Sequence, residues 1–275
     1  MLSGPEPSAR IRLLRPFEVS HGDRLLLADD WPRNKAAALL KRLAWERRLV
    51  KDPAIEFLWP EASLVSAAHN LYRSLYSLRK TLNAALGEGA AGDIVRFEDG
   101  VLSLAPAVWV DVREFERLLA PSAAAADLEG ALKLYRGDFL PDDRCEEWTL
   151  LPRQALYHSQ RTTRLALAGL RRQVSDYEAA IALLLPLPAY DAADEEAHRE
   201  LMRLFAMAGR RHEALRQFRR CEEGLAAELD VGPSLETKAL YAKFVSGQLE
   251  GDAALAHPFP PAPLHPPPLH RHNFS

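Results

Sequence analysis

The residues between positions 67 and 86 have types and spacing that suit recognition of DNA. The segment reads AAHNLYRSLYSLRKTLNAAL, and its leucines recur at helical spacing at Leu71, Leu75, Leu78 and Leu82. The other side of this predicted helix carries His69, Asn70, Arg73, Ser74, Ser77 and Lys80. Asparagine, serine and arginine side chains bond to base edges and phosphates. We therefore expect a helix that rests on a small core and presents a polar face to a major groove.

Each polar residue of this helix also has a simpler interpretation, because amphipathic surface helices are common and most bind nothing. Arg73 could serve only to keep the surface soluble, and Asn70 could bond to the backbone near the start of the helix. Arg79 could pair with an acid such as Glu56. The decision between the two interpretations depends on the elements that surround the helix.

Patterns that would indicate catalysis or metal binding are weak. The chain has no phosphate-binding loop, no nucleophile motif and no HExxH pair. Glu195 and His198 lie one helical turn apart, a spacing that arises often by chance. Cys145 and Cys221 lack the spacing of a zinc site or a redox pair, so we expect free thiols. We predict no catalytic residue, no metal and no cofactor.

Composition and charge place the chain among globular proteins with two functional halves. Its 275 residues suffice for two domains, and no apolar run approaches the roughly 20 residues of a membrane span. No signal pattern opens the sequence, so we expect a cytoplasmic protein without a membrane partner.

Residues 31–82 hold ten Lys and Arg against four Asp and Glu, a local charge of +6. Residues 106–250 hold nineteen against twenty-four, a local charge of −5. A basic segment joined to an acidic one is typical of a DNA-binding module attached to an interaction module.

The N-terminal part, residues 10–105, predicts a winged helix-turn-helix with small β-hairpins. Two strands, at 11–19 and 24–28, come first, and two more, at 94–97 and 101–104, enclose a tight Asp-Gly turn. Between them lie helices at 35–45, 52–58 and 67–86, with Asp52 capping the second helix and Pro53 in its first turn. In this order the third helix enters the major groove and the hairpin acts as a wing.

The remaining sequence predicts an all-α domain that resembles tetratricopeptide repeats. Helical patterns fill residues 106–248, at 111–119, 128–135, 148–174, 177–187, 194–208, 211–229 and 233–245. The segment DYEAAI at 176–181 is echoed by RHEALR at 211–216, an offset of 35 residues that is close to the tetratricopeptide period. Residues 249–275 are rich in proline and predict a disordered linker or tail, and its four histidines could hold a metal only within an ordered frame. The expected fold class is mostly α.

Several stretches make the chain similar to the SARP/AfsR transcriptional activators, which join an OmpR/PhoB-type winged helix to a bacterial transcriptional activator domain. In the first half they are IRLLRPFEV at 11–19, RNKAAALL at 33–40, LWP at 58–60, NL at 70–71 and LRK at 78–80. In the second half they are YRGDFLP at 135–141, EEW at 146–148, EAHRELM at 196–202, AGRRHEALRQF at 208–218 and ELDVGPS at 228–234. The resemblance covers residues 10–245, and the pieces occur in family order.

The resemblance implies a regulator that binds direct repeats near promoters, side by side as a dimer on double-stranded DNA, and recruits RNA polymerase, often for secondary metabolism. The family's DNA-reading positions correspond here to His69, Asn70, Arg73, Ser74 and Ser77, with Arg79 or Lys80 toward the backbone. Arg33 and Lys35 are phosphate candidates, and the wing contributes Arg96. The segment HNF at 272–274 is similar to the segment before an ATPase domain in large family members, which suggests a longer chain.

Some residues depart from the family pattern. Arg15 stands where glycine is common, Ser77 stands near a usual Arg or Lys, and Asp52 would face phosphate unfavourably. The base preference of the family is therefore not transferable. The alternative function is a tetratricopeptide-like adaptor that docks proteins and does not bind DNA.

Overall fold

The computed structural model describes residues 7–32 and 34–247, apart from the side chains of residues 64 and 65. These residues form two compact units. The first unit comprises the described residues up to 120 together with 133–156, and the second comprises 121–132 together with 157–247. The first unit thus extends past residue 105, and the domain boundaries given above stay predictions. The predicted Pro-rich tail, residues 249–275, lies outside the described residues, as does Arg33.

The first unit contains seven strands and the helices between them. The strands are β1 (Ala9–Arg12), β2 (Glu18–His21), β3 (Arg24–Leu27), β4 (Arg48–Val50), β5 (Val95–Glu98), β6 (Val101–Leu104) and β7 (Val108–Val110). The helices are α1 (Asn34–Glu46), α2 (Lys51–Leu58), α3 (Leu64–Leu86), α4 (Ala90–Ile94) and α5 (Asp111–Leu118).

The strands form two sheets, one of four strands and one of three. The first sheet has the order β3-β2-β1-β7, in which β7 pairs parallel to β1 with Ile11 opposite Val110. The second has the order β4-β6-β5, so the predicted wing hairpin gains a third strand. Asp99 and Gly100 turn the hairpin with φ angles of 50° and 76°, the positive values that a type I′ turn requires.

The single strand predicted at 11–19 is wrong, because the chain leaves the sheet between β1 and β2. The amides of Leu13 and Leu14 donate to the buried carboxylate of Asp111, each at 2.9 Å, instead of to a neighbouring strand. Pro16 has no amide hydrogen to continue a ladder. Burial raises the pKa of Asp111 to about 6, against the opposing effect of these backbone donors.

The three predicted helices of the first unit are confirmed, with differences at their starts. α2 begins at Lys51 after Val50, so the prediction that Asp52 caps it is wrong, although Pro53 does lie in its first turn. α3 begins at Leu64 rather than at residue 67, because the Ser63 hydroxyl accepts from the amide of Ser66 and caps the extra turn.

The second unit is helical throughout its described residues. It contains most of α6 (Ala125–Leu134) and of α7 (Leu150–Gln173), then α8 (Tyr177–Leu184), α9 (Pro186–Tyr190), α10 (Glu195–Met207), α11 (Arg211–Leu229) and α12 (Leu235–Ser246). The helix predicted at 177–187 is divided before Pro186, which cannot donate to the preceding turn. Ala180 and Ala214, the small residues of the two echoing segments, are fully buried in one core with Leu201 and Phe244.

These elements confirm the predicted fold class, a mostly helical chain with an N-terminal winged helix followed by a helical domain. None of the helices in the described residues combines the length and the apolar character that crossing a membrane would need.

Candidate nucleic-acid interface

The long helix α3 is held by its leucine stripe, as predicted. Leu71, Leu75, Leu78 and Leu82 are between 0 and 4% exposed. Asn83 fixes the other end, because its side-chain oxygen accepts from the amide of Ala91 at 2.9 Å and joins α3 to α4. A helix anchored along one side keeps the opposite side at a constant orientation, which a reader of DNA needs.

The predicted site residues of α3 do not all lie on its free side. His69, Arg73, Arg79 and Lys80 are exposed, and Asn70 and Ser77 are half-buried. Ser74 is only 8% exposed, so the prediction that it shares the free side is wrong. Ser74 lies three residues after Leu71 and four before Leu78, which places it within the stripe that packs on the core.

The remaining candidates lie on neighbouring elements of the same unit. Lys35 is exposed in the first turn of α1, and Arg96 is exposed on β5 of the wing. The structure thus supplies three exposed cations on α3, one on α1 and one on β5, while Arg33 lies outside the described residues. The contacts of these side chains with DNA stay predictions.

The candidate cations have no acidic partner among the described residues, whereas six other arginines of the first unit do. Among the described residues, no carboxylate lies within 4.0 Å of the charged groups of Lys35, Arg73, Arg79, Lys80 or Arg96. The pairing considered between Arg79 and Glu56 is therefore not formed. By contrast, Arg42 pairs with Glu46, and Arg117 lies 2.7 Å from Glu114. Exposed cations without such a partner are free to neutralise phosphates.

Two tyrosines on the free side of α3 were missed by the sequence reasoning. Tyr72 is 51% exposed and Tyr76 is 70% exposed. Helical spacing places both on the same side of α3 as His69, because Tyr72 lies three residues and Tyr76 seven residues after it.

The wing and α2 hold Tyr72 in place from one side. The ring of Phe97 on β5 lies 6.0 Å from the ring of Tyr72 at 82°, an edge-to-face contact. The ammonium group of Lys51 lies 5.6 Å from the same ring. The amide of Lys51 in turn donates to the carbonyl of Gly100 at 2.9 Å, which ties the tip of the wing to the start of α2. Wing, α2 and α3 therefore present one connected surface.

A groove of about 1100 Å³ lies between α3 and β3, and Tyr72 is among the residues that line it. Leu25 of β3 contributes an apolar wall, and Arg73, Tyr76 and Lys80 contribute the opposite wall. The exposed side of α3 therefore forms one wall of this groove.

The side chains considered for catalysis have structural partners instead. The Glu195 carboxylate accepts from the amide of Ser234 at 2.8 Å and from the hydroxyl of Thr237, so it joins α10 to the start of α12. His198 is 1% exposed; it donates from Nε2 to the carbonyl of Ala192 and accepts at Nδ1 from Gln217. Within the described part of the chain, no group of three metal-ligating side chains occurs.

Comparison with known proteins identifies the second half of the chain. The model of the bacterial transcriptional activator domain matches residues 110–244. No curated protein matches the chain.

A solved structure is similar over most of the chain. It is Mycobacterium tuberculosis EmbR in complex with a low affinity phosphopeptide, with a TM-score of 0.68 and 22% sequence identity. The similarity covers 88% of this chain and 66% of EmbR, so this chain spans less than two thirds of that protein. At this level of identity the likeness concerns the fold.

Proposed function

We propose that this chain, which belongs to the SARP-type transcriptional regulators, binds double-stranded DNA by placing α3 in a major groove and its wing on the adjoining backbone. The observation that carries this proposal is the set of exposed cations on α3, Arg73, Arg79 and Lys80, which have no acidic partner among the described residues. Such cations can displace the counterions of a duplex, which carries one phosphate charge per about 1.7 Å of axis.

The roles of the side chains follow from where they lie on the surface. Arg73 lies in the exposed middle of α3 and would reach base edges, whereas Arg79, Lys80, Lys35 and Arg96 would contact phosphates. His69, Asn70 and Ser77 would add contacts along the same groove. Ser74 is withdrawn from the list because it is buried.

The experiment that tests DNA binding compares two matched double variants. Arg79→Gln with Lys80→Gln removes two charges from the proposed interface, and Arg216→Gln with Arg219→Gln removes two exposed charges from α11. Fluorescence anisotropy with a labelled duplex is followed against salt concentration. We expect the first variant to lose affinity and to lower the slope of log affinity against log salt by about 2, because two phosphate contacts disappear.

The control variant should bind like the parent chain. Equal losses in the two variants would show that overall charge, and not this surface, governs binding. No salt-sensitive binding of the parent chain at low salt would favour the alternative, a protein-docking adaptor.

We further propose that two copies bind direct repeats side by side and that the helical unit recruits RNA polymerase. The support is the bacterial transcriptional activator domain over 110–244 and the acidic balance of that half. Transcription in vitro from a promoter that carries the selected repeat tests this step. Stimulation should require both repeats, and stimulation by a single repeat would contradict side-by-side binding.

A further inference from the structure

Four residues form a ridge on the side of α3 opposite the leucine stripe. His69, Arg73, Tyr76 and Lys80 follow one another at spacings of four, three and four, so they form one line on the helix opposite the leucine stripe. The line rises about 16 Å, the length of roughly five base pairs. Three of its members are polar or basic, and Tyr76 is the aromatic one.

Tyr76 differs from Tyr72 in its surroundings. Tyr72 stands to one side of the ridge, with its ring against Phe97 and near Lys51. Tyr76 is 70% exposed, and neither a ring contact nor a hydrogen bond of its hydroxyl is recorded within the part of the chain that the structure describes. An aromatic ring left in water at the centre of a binding face is typical of an anchor that becomes buried on association.

The position of Tyr76 decides which part of the duplex it would meet. Side chains at the margins of a helix in a major groove face phosphates, whereas those on its central line face the floor of base edges. The apolar group on that floor is the C5-methyl group of thymine, and apolar side chains contact it. Arg73, three residues before Tyr76 on the ridge, would reach base edges, and Lys80, at the C-terminal end of the ridge, would reach a phosphate.

We infer that Tyr76 is a specificity-determining residue whose ring packs on the C5-methyl group of a thymine in the operator. The inference rests on the proposed function and deepens it, because it names the chemical group that one side chain reads. The hydroxyl of Tyr76 is not needed for this contact.

The test starts from the operator selected out of a random duplex pool by the parent chain. Each thymine of that operator is replaced in turn by deoxyuridine, which removes the methyl group and keeps every hydrogen-bonding atom. We expect one replacement per half-site to weaken binding about fourfold, the value expected from the burial of one methyl group.

Two variants of Tyr76 then assign that methyl group to the ring. Tyr76→Phe keeps the ring, so it should bind within about twofold of the parent chain and should still distinguish thymine from deoxyuridine. Tyr76→Ala should lose at least about fourfold on the thymine operator and should bind the two operators equally. Affinity for unrelated duplex and the midpoint of thermal unfolding should be unchanged in both variants, since the side chain is exposed.

Three results would overturn the inference while leaving DNA binding intact. They are a loss in Tyr76→Phe as large as that in Tyr76→Ala, continued discrimination by Tyr76→Ala, and an operator in which no deoxyuridine replacement matters. Binding without enrichment of any sequence would also overturn the inference, whereas absence of binding to any duplex at low salt would refute the proposed function and the inference with it.

Discussion

The ammonium group of Lys41 lies 2.6 Å from a carboxylate oxygen of Asp143, a residue 102 positions later in the chain. Lys41 belongs to α1, which packs against α3, and Asp143 belongs to a 3₁₀ turn after α6. Trp45 packs on Phe139 at 5.1 Å between ring centroids, and Arg42 stacks 5.0 Å above Trp148. The segment around residues 139–148 is therefore part of the same compact unit as the winged helix, although the activator-domain match includes it.

This ion pair should contribute measurably to the stability of the first unit. We expect Asp143→Ala to lower the free energy of unfolding by about 1–3 kcal/mol, because it leaves the largely buried ammonium group of Lys41 without its charged acceptor. The measurement is unfolding in urea. Asp142→Ala is the matched control, since Asp142 is exposed, and an equal effect of the two variants would contradict a specific role for the pair.

Arg73 should contribute to sequence discrimination more than to general affinity. Replacement by alanine removes a side chain that can bond to two acceptors of guanine, and such contacts are worth about 1–3 kcal/mol of discrimination. We expect Arg73→Ala to reduce the ratio of specific to nonspecific affinity, measured by competition with unrelated duplex. An equal loss on both kinds of DNA would assign Arg73 to a phosphate instead.

Gly224 should be intolerant of any side chain. A Cβ atom at this position would lie 2.0 Å from the carbonyl oxygen of Ala192, which is backbone and cannot rotate away. We expect Gly224→Ala to destabilise the second unit by about 1–3 kcal/mol, the usual cost of overpacking. In the matched variant Gly92→Ala the new atom meets nothing within 4 Å, and the midpoint of thermal unfolding should change little. Similar behaviour of the two variants would refute the close approach at Ala192.

The buried His198 should make the stability of the second unit depend on pH. Burial lowers the pKa of His198 below its ordinary value of 6.5, so the folded state holds the neutral ring while the unfolded chain takes up a proton near pH 6.5. The stability that the neutral ring provides is present above about pH 6.5 and is lost as pH falls below it, by at most about 1.4 kcal/mol per pH unit.

The comparison that isolates this effect is the parent chain against His198→Gln. The difference in their free energies of unfolding should be largest at pH 7.5 and should narrow toward pH 5. A constant difference across this range would mean that His198 does not titrate between the folded and unfolded states.

The sequence predicted those elements whose cause is local. The spacing of Leu71, Leu75, Leu78 and Leu82 predicts α3 because one helix face must be buried, and the residues Asp99 and Gly100 predict the wing turn because both need positive φ. The three-residue strands β4 and β7 left no signal. β7 pairs with β1 across 99 positions of the sequence, and the hydrogen bonds from Leu13 and Leu14 to Asp111 span nearly as many. Local patterns do not predict contacts between residues so far apart.

The site could be predicted only in outline. Residue type and helical spacing suffice to place Arg73 and Lys80 on the exposed side of α3. The burial of Ser74 and the exposure of Tyr76 depend on how α3 packs against its neighbours, which the sequence alone does not give. The absence of acidic partners around the described cations of the surface is likewise a property of the tertiary structure.

The most direct test of the account is selection of bound DNA from a random duplex pool by residues 1–275, with the affinity of the selected sequence followed against salt. We predict enrichment of a direct repeat with its two units about one helical turn apart, together with binding that weakens steeply as salt rises. Absence of enrichment and of any binding at low salt would contradict the assignment of α3 as a DNA-reading helix.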